Sequence, residues 1–276
     1  EEDYQDDAEQ LYDWLIRPAL AEFASREIKT LVIVPDGALS LIPFSALHSG
    51  ERFLIEEYAL GTVPSVSLTD TRKTDREDSR MLLSGLSEAR QGFLPLENVG
   101  NELRNIAATG ESMILLNEEF TTENLEAEFR KQDYDIMHLA THAVFGDSPE
   151  DTFLLTYDGR LTLDGLDRLV SLKKYREKQP ELLALSACET AAGDERAAFG
   201  LAGVAIRAGA KSALATLWKV DDAAASQITE EFYRQFMTKD SSKAEALQNA
   251  QKKLIGQEEF GHPVFWAPFL LIGNWR

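Results

Sequence analysis

Leu182-Leu183-Ala184-Leu185-Ser186-Ala187-Cys188-Glu189-Thr190 is the stretch on which the fold turns. Apolar residues follow one another without polar alternation, and the run ends at the only cysteine of the chain. An unbroken run of this length reads as a strand buried on both faces, as in a parallel sheet covered by helices. Upstream, Ile136-Met137-His138-Leu139-Ala140-Thr141-His142 has the same shape and ends on a histidine. A thiol and an imidazole, each delivered by a buried strand, are the minimum equipment for cysteine-nucleophile chemistry.

Further strands of the same kind are expected at Met81–Ser84, Met113–Leu116, Phe153–Thr156, Ala213–Leu217 and Phe269–Ile272. Helical patterns over 96–108, 122–131, 163–170, 197–208, 222–238 and 242–256 lie between most of them. The alternation predicts an α/β protein with a mostly parallel central sheet and helices on both faces. In open sheets of that kind, ligands bind outside the carboxyl ends of the strands. His142 and Cys188 both fall at such ends.

The N-terminal part begins with a helical pattern over 5–26, carrying Leu11, Trp14, Leu15 and Leu20, with a break at Pro18. Leu31-Val32-Ile33-Val34 reads as a strand closed by the turn residues Pro35-Asp36-Gly37. Arg52–Ile55 and Tyr58–Leu60 flank Glu56-Glu57 and predict a small hairpin. The polar joint 71–80 divides the chain into an N-terminal half, 1–80, and a second half, 81–276.

A chain of 276 residues, 44% hydrophobic and 27% charged, suffices for a soluble fold with a sizeable core. Its net charge of −19 argues against nucleic acid as a direct partner. The same charge suits a cationic partner or, more plainly, a solvated acidic surface. One cysteine excludes an internal disulfide. No apolar stretch reaches membrane-spanning length, and Glu1-Glu2-Asp3 is the opposite of a signal peptide, so the expectation is a cytoplasmic protein that does not act at a membrane.

Each candidate has a plainer alternative. Cys188 can be a small buried hydrophobe, the commonest fate of a free cysteine, or a nucleophile activated by His142. His138 and His142 stand four apart, as in a helical zinc motif. Leu139 occupies the glutamate slot of that motif, and no further ligand follows at a recognised spacing. No metal or cofactor is therefore expected, and His138 reads as a core histidine supporting the site. Phosphate-binding glycine loops and a serine elbow are absent from the sequence. Asp221 and Asp222 follow Leu217-Trp218-Lys219-Val220 at another strand end. Asp221 can cap the helix that starts there, and either aspartate can floor a site for a cationic side chain.

Taken together, four motifs in this order resemble the CHAT domain, a family of caspase- and separase-like proteases often found behind helical TPR repeats. They are Ala140-Thr141-His142-Ala143, Leu185–Gly193, Gly200–Ala210 and Ala215–Asp222. Val34–Leu39 with Pro43–Leu47, and His262–Phe269 with Ile272-Gly273, resemble the two ends of that family. The resemblance implies the caspase–haemoglobinase fold, a three-layer α/β/α sandwich, and a cysteine endopeptidase acting on a protein substrate. It places His142 and Cys188 on the dyad positions and assigns the oxyanion donors to the N–H groups of Ala143 and Cys188. Glycine is usual after such a histidine; Ala143 keeps the N–H but not the freedom to take φ > 0. By the likeness to separases, Asp221 or Asp222 would line a pocket for an arginine or lysine of the substrate, with Asp147 and Glu189 as further acidic candidates. An activating partner or an appended TPR sensor region would control such a domain. The alternative is a catalytically inactive protease fold used as an interaction module.

Overall fold

The structure is a computed structural model. It describes residues 3–67, 69–72, 76, 78–144, 152–171, 179–186, 206, 209–238 and 240–276. Cys188, Glu189, Asp147 and most of the 197–208 pattern lie outside the described residues.

Eight strands form the central sheet: β1 (Thr30–Ile33), β2 (Ala59–Thr62), β3 (Arg80–Gly85), β4 (Glu111–Leu116), β5 (Ile136–Ala140), β9 (Leu182–Ser186), β10 (Ser212–Thr216) and β11 (Phe269–Gly273). Their order is β1-β2-β11-β10-β9-β5-β3-β4. Every junction is parallel except β10–β11. Strand β11, from the C-terminal end, joins β2 to the rest, so one sheet runs through both halves of the chain.

Side chains alternate across the sheet, and both sides are buried. Met137, Leu139, Leu183 and Leu185 enter one core with Phe120, Leu125 and Phe129, under α5 (Thr122–Lys131) and α6 (Leu163–Ser171). Ile136, Ala140, Leu182 and Ala184 enter the other. There they meet α4 (Val99–Ala107), α7 (Asp222–Phe236) and α8 (Lys243–Ile255), with the fully buried Trp266 from the short α9 (Pro263–Trp266). This is the expected three-layer α/β/α arrangement. A smaller cluster of Tyr12, Ile16, Leu31, Leu47 and Leu54 holds α1 (Asp3–Leu15) against the N-terminal edge. After α1 the chain turns through a 3-10 segment, Arg17–Ala19, before α2 (Leu20–Ala24), as Pro18 requires.

Two local expectations differ from the structure. Leu54–Glu57 is a turn of helix, α3, and not one arm of a hairpin. Glu56 Oε2 accepts the Phe53 N–H at 2.8 Å, and a helical turn lets the sequential neighbours Leu54 and Ile55 both face inward. The following segment, β2, pairs in parallel with β1 instead. Phe153–Leu155 (β7) is a strand, but of a separate antiparallel sheet with β6 (Ala143–Val144) and β8 (Arg160–Thr162). Its apolar run is buried under α5 and α6, which is why it mimics a central strand in sequence.

Gly85 closes β3 where the sheet meets α4. A Cβ there would stand 2.6 Å from Val99 Cγ1 and 2.9 Å from the Ala140 carbonyl oxygen. Gly85→Ala is expected to destabilise the protein by about 1–3 kcal/mol, read as a lower urea midpoint at unchanged m-value.

The helices α7 and α8 are pinned together by Glu231, whose buried carboxylate accepts from Arg234, from Gln235 at 2.8 Å and from Lys253 at 3.1 Å. Burial alone would raise its pKa, but these donors outweigh it and hold the group at about 2. A folded-state pKa below the unfolded one contributes stability above the ordinary carboxylate range, and that stability is lost as pH falls toward about 2. Glu231→Gln is therefore expected to flatten the acid limb of a stability-versus-pH curve between about pH 4.5 and 2.

Candidate active site

Strands β5 and β9 are adjacent, parallel and in register, Ala140 opposite Ser186. His142 follows Ala140 by two residues, and Cys188 follows Ser186 by two. The junction continues one residue further, with the Thr141 N–H donating to the Ser186 carbonyl at 3.3 Å. The two strands that lead in sequence to His142 and Cys188 thus end at paired positions, Ala140 and Ser186.

His142 is buried and held from two sides. Its Nε2 lies 2.8 Å from the Leu94 carbonyl oxygen. A carbonyl only accepts, so Nε2 carries the hydrogen and Nδ1 is the basic nitrogen of the neutral ring. The Phe93 ring lies against the imidazole, with centroids 5.0 Å apart and planes at 33°. Beneath, Thr141 Oγ1 donates to the Leu155 carbonyl at 2.6 Å, and the Leu155 N–H donates to the His142 carbonyl at 2.9 Å. The β6–β7 ladder therefore begins directly under the histidine.

That last bond fixes the direction of the next amide. It makes Ala143 and Leu154 a non-hydrogen-bonded pair of the antiparallel ladder, in which the N–H turns away from the partner strand. Ala143 is extended strand; among the described residues the positive-φ non-glycine residues are Glu27, Gln91 and Asn117. Alanine thus fits this backbone without strain.

The loop that carries Phe93 and Leu94 is itself braced. Gln91 (φ 49°) and Gly92 (φ 89°) make a tight turn closed by the Phe93 N–H on the Arg90 carbonyl at 2.8 Å. Positive φ at both central positions is what the reversal needs, and Gly92 meets it without penalty. The Arg90 guanidinium lies 3.6 Å over the Tyr157 ring, and Gln91 Nε2 donates to the Gly159 carbonyl at 3.3 Å, so the turn rests on the β7–β8 connection.

His138, four residues before His142, is wholly buried and points to the α4–α7 side of the sheet. Its Nε2 is 3.0 Å from Glu102 Oε1, and its Nδ1 is 3.3 Å from the Tyr233 hydroxyl. It is a core histidine in a closed polar network, as the sequence reading expects. Among the described residues no group of three or more His, Cys, Asp or Glu is placed to hold a metal ion.

Asp221 and Asp222 follow β10, whose carboxyl end lies at the same edge as those of β5 and β9. The exposed Asp221 caps α7, its Oδ1 accepting from the Ala223 and Ala224 N–H groups at 2.9 and 3.2 Å. Asp222 Oδ2 accepts from the N–H and the side-chain amide of Asn98 at 2.9 and 2.8 Å, tying the start of α7 to the start of α4. Asp221→Ala should lower stability by about 1 kcal/mol through loss of the cap, whereas Asp221→Asn should stay within a few tenths of wild type in the same denaturation measurement.

Leu94 and Phe93 escape a sequence reading because Leu94 acts through its carbonyl, which carries no residue-type signal, and the loop has no periodicity. Glu102 left a trace: it interrupts the apolar stripe Val99, Leu103 and Ile106 of α4 and is buried with them.

The family model of the CHAT domain matches residues 5–274. This chain belongs to the CHAT domain family. Among solved structures, the CHAT domain is similar to separase in the Saccharomyces cerevisiae separase–securin complex, at 14% identity and a TM-score of 0.56 over 89% of this chain and 15% of that one. It is also similar to Porphyromonas gingivalis RgpB in the complex of its pro- and mature domains, at 12% identity and a TM-score of 0.55 over 97% and 71% of the respective chains. A third similar structure is the Arg-specific cysteine proteinase gingipain R (RgpB), at 11% identity and a TM-score of 0.50 over 79% of this chain and 55% of that one. At such identities the likeness is one of fold: the CHAT domain described here is a protease-fold domain. It spans 15% of the separase chain it matches. No curated protein sequence matches it, and no helix among the described residues is long and apolar enough to cross a membrane.

Proposed function

We propose that this CHAT domain is a cysteine endopeptidase that cuts a protein substrate after an arginine or lysine. The observation that carries the reading is the β5–β9 register: His142 and Cys188 are each two residues beyond the paired positions Ala140 and Ser186. In this reading His142 Nδ1 takes the proton of the Cys188 thiol, and the thiolate sulfur attacks the scissile carbonyl carbon. The oxyanion is held by the N–H groups of Ala143 and Cys188, each worth on the order of 3 kcal/mol in other enzymes. The C–N bond then breaks as His142 returns the proton to the leaving amine. Water hydrolyses the resulting thioester and restores the thiol.

Support for a basic residue at the cut comes from the acidic pair beyond β10, and from the arginine specificity of gingipain R, a structural relative. Asp221 is the better of the two for this role. It is exposed, and capping occupies only one side of its carboxylate, whereas Asp222 is held by Asn98. Asp147 and Glu189 are the further acids near the dyad in sequence. Separase, a far longer chain, is seen bound to securin. By that analogy this domain works under a partner protein; control by an appended TPR region and action in the cytoplasm complete the proposal.

Arg- and Lys-ended fluorogenic peptides test the activity in the presence of the full-length protein's activating conditions. Wild type should cleave, and Cys188→Ala should lose at least 10³-fold in kcat/KM. No cleavage together with no labelling of Cys188 by a peptide-based cysteine probe would favour the interaction-module reading. Asp221→Asn, which keeps the cap, should raise KM for basic substrates without loss of fold; an unchanged preference for arginine and lysine would remove Asp221 from the pocket.

A further inference from the structure

One oxygen of Glu102 gathers four elements. Glu102, on α4, is 2% exposed. Its Oε1 lies 3.0 Å from His138 Nε2 on β5, accepts from Ser186 Oγ on β9 at 2.9 Å, and accepts from Thr229 Oγ1 on α7 at 2.8 Å. Ser186 Oγ is in turn 3.3 Å from His138 Nε2. The protons close without conflict. His138 donates from Nε2, and its Nδ1 accepts from the Tyr233 hydroxyl. Burial and the Glu102 charge push the Tyr233 phenol well above its ordinary range, so it stays protonated and remains a donor.

The neighbouring stripe of α4 is apolar, and a carboxylate is tolerated among it only because donors satisfy it. What the carboxylate does is tie the last residue of β9, Ser186, to the middle of β5 at His138. Ser186 is two residues before Cys188, and His138 is four before His142. The strands are neighbours in register, and each polar side chain lies on the same side of the sheet.

We infer that Glu102 is a positioning residue: by binding Ser186 and His138 together, it sets the relative height of the β5 and β9 ends and so the approach of His142 to Cys188. The inference rests on the cysteine-peptidase reading above.

Because Cys188 is the only cysteine, the rate of alkylation by iodoacetamide reports it directly. Wild type, His142→Ala, Glu102→Gln and Ser186→Ala are compared from about pH 6 to about pH 9.5, the range that brackets an ordinary thiol pKa, with urea denaturation of each as a check of folding. In wild type a paired thiolate reacts at the acid end, where His142→Ala is slow. Glu102→Gln and Ser186→Ala should fall on the order of ten-fold toward His142→Ala near pH 6 and converge with wild type at the alkaline end, where the thiol ionises unaided. A merely structural loss would raise reactivity at every pH by exposing the thiol. Should Glu102→Gln not fold, Ser186→Ala, which removes one donor, carries the test. If wild type exceeds His142→Ala while both network variants match wild type, the positioning role falls and the dyad stands. If wild type equals His142→Ala throughout, the dyad reading falls, and this inference with it.

Discussion

The parallel pairing of β5 with β9 is the constraint on which the rest of the structure depends. It is made of backbone hydrogen bonds, so it carries no residue-type signature, yet it decides which loops emerge side by side. A slip of β5 by one residue would turn His138 to the opposite side of the sheet and put Met137 among α4 and α7; the same slip of β9 would exchange Ser186 for Leu185. Both strands are buried on both faces, so a slip of a whole residue would put side chains into the wrong core, and within that register Glu102 ties Ser186 to His138. The chemistry proposed for the strand ends inherits that rigidity.

Around this pair the protein uses backbone groups where a sequence reader looks for side chains. The Leu94 carbonyl fixes the tautomer of His142, and the Leu94 side chain is 76% exposed and takes no part in the contact. The β6–β7 ladder aims the Ala143 amide. The turn at Gln91-Gly92 sets the height of the Leu94 carbonyl and is held by Arg90 on Tyr157. In each case the geometry is set by a neighbouring element remote in sequence, such as the β7–β8 connection under the 90–94 turn.

This explains what could be read in advance and what could not. The central strands were legible because burial on both faces leaves an unbroken apolar run, as in Leu182–Leu185. His142 and Cys188 stand out as candidates because they terminate such runs. The Asp221 cap was legible because an acid before Ala223-Ala224-Ala225 has a local job to do. Phe153–Leu155 misled because a strand buried beneath two helices looks like a strand buried within a sheet; only its partners, β6 and β8, tell them apart. Leu54–Glu57 misled because four residues are too few to separate a helical turn from a strand by periodicity. Glu102 was visible as a carboxylate on an apolar stripe, but its partners Ser186 and Thr229 come from distant segments, and no spacing connects them.

Ala143 shows how far a family expectation about residue type reaches. Glycine after the histidine suggests a backbone that needs positive φ, and an alanine there suggests an impaired oxyanion hole. The argument holds only if the conformation demands it. Here the position is extended strand in a non-hydrogen-bonded pair, and the N–H already turns away from β7. The donor an oxyanion needs is the amide, which alanine supplies as well as glycine does. The alanine Cβ, fully buried among Phe153, Leu154 and their neighbours, adds packing that glycine would not. Alanine therefore fits the strand beneath the histidine without strain, and the oxyanion role proposed for its N–H does not call for glycine there.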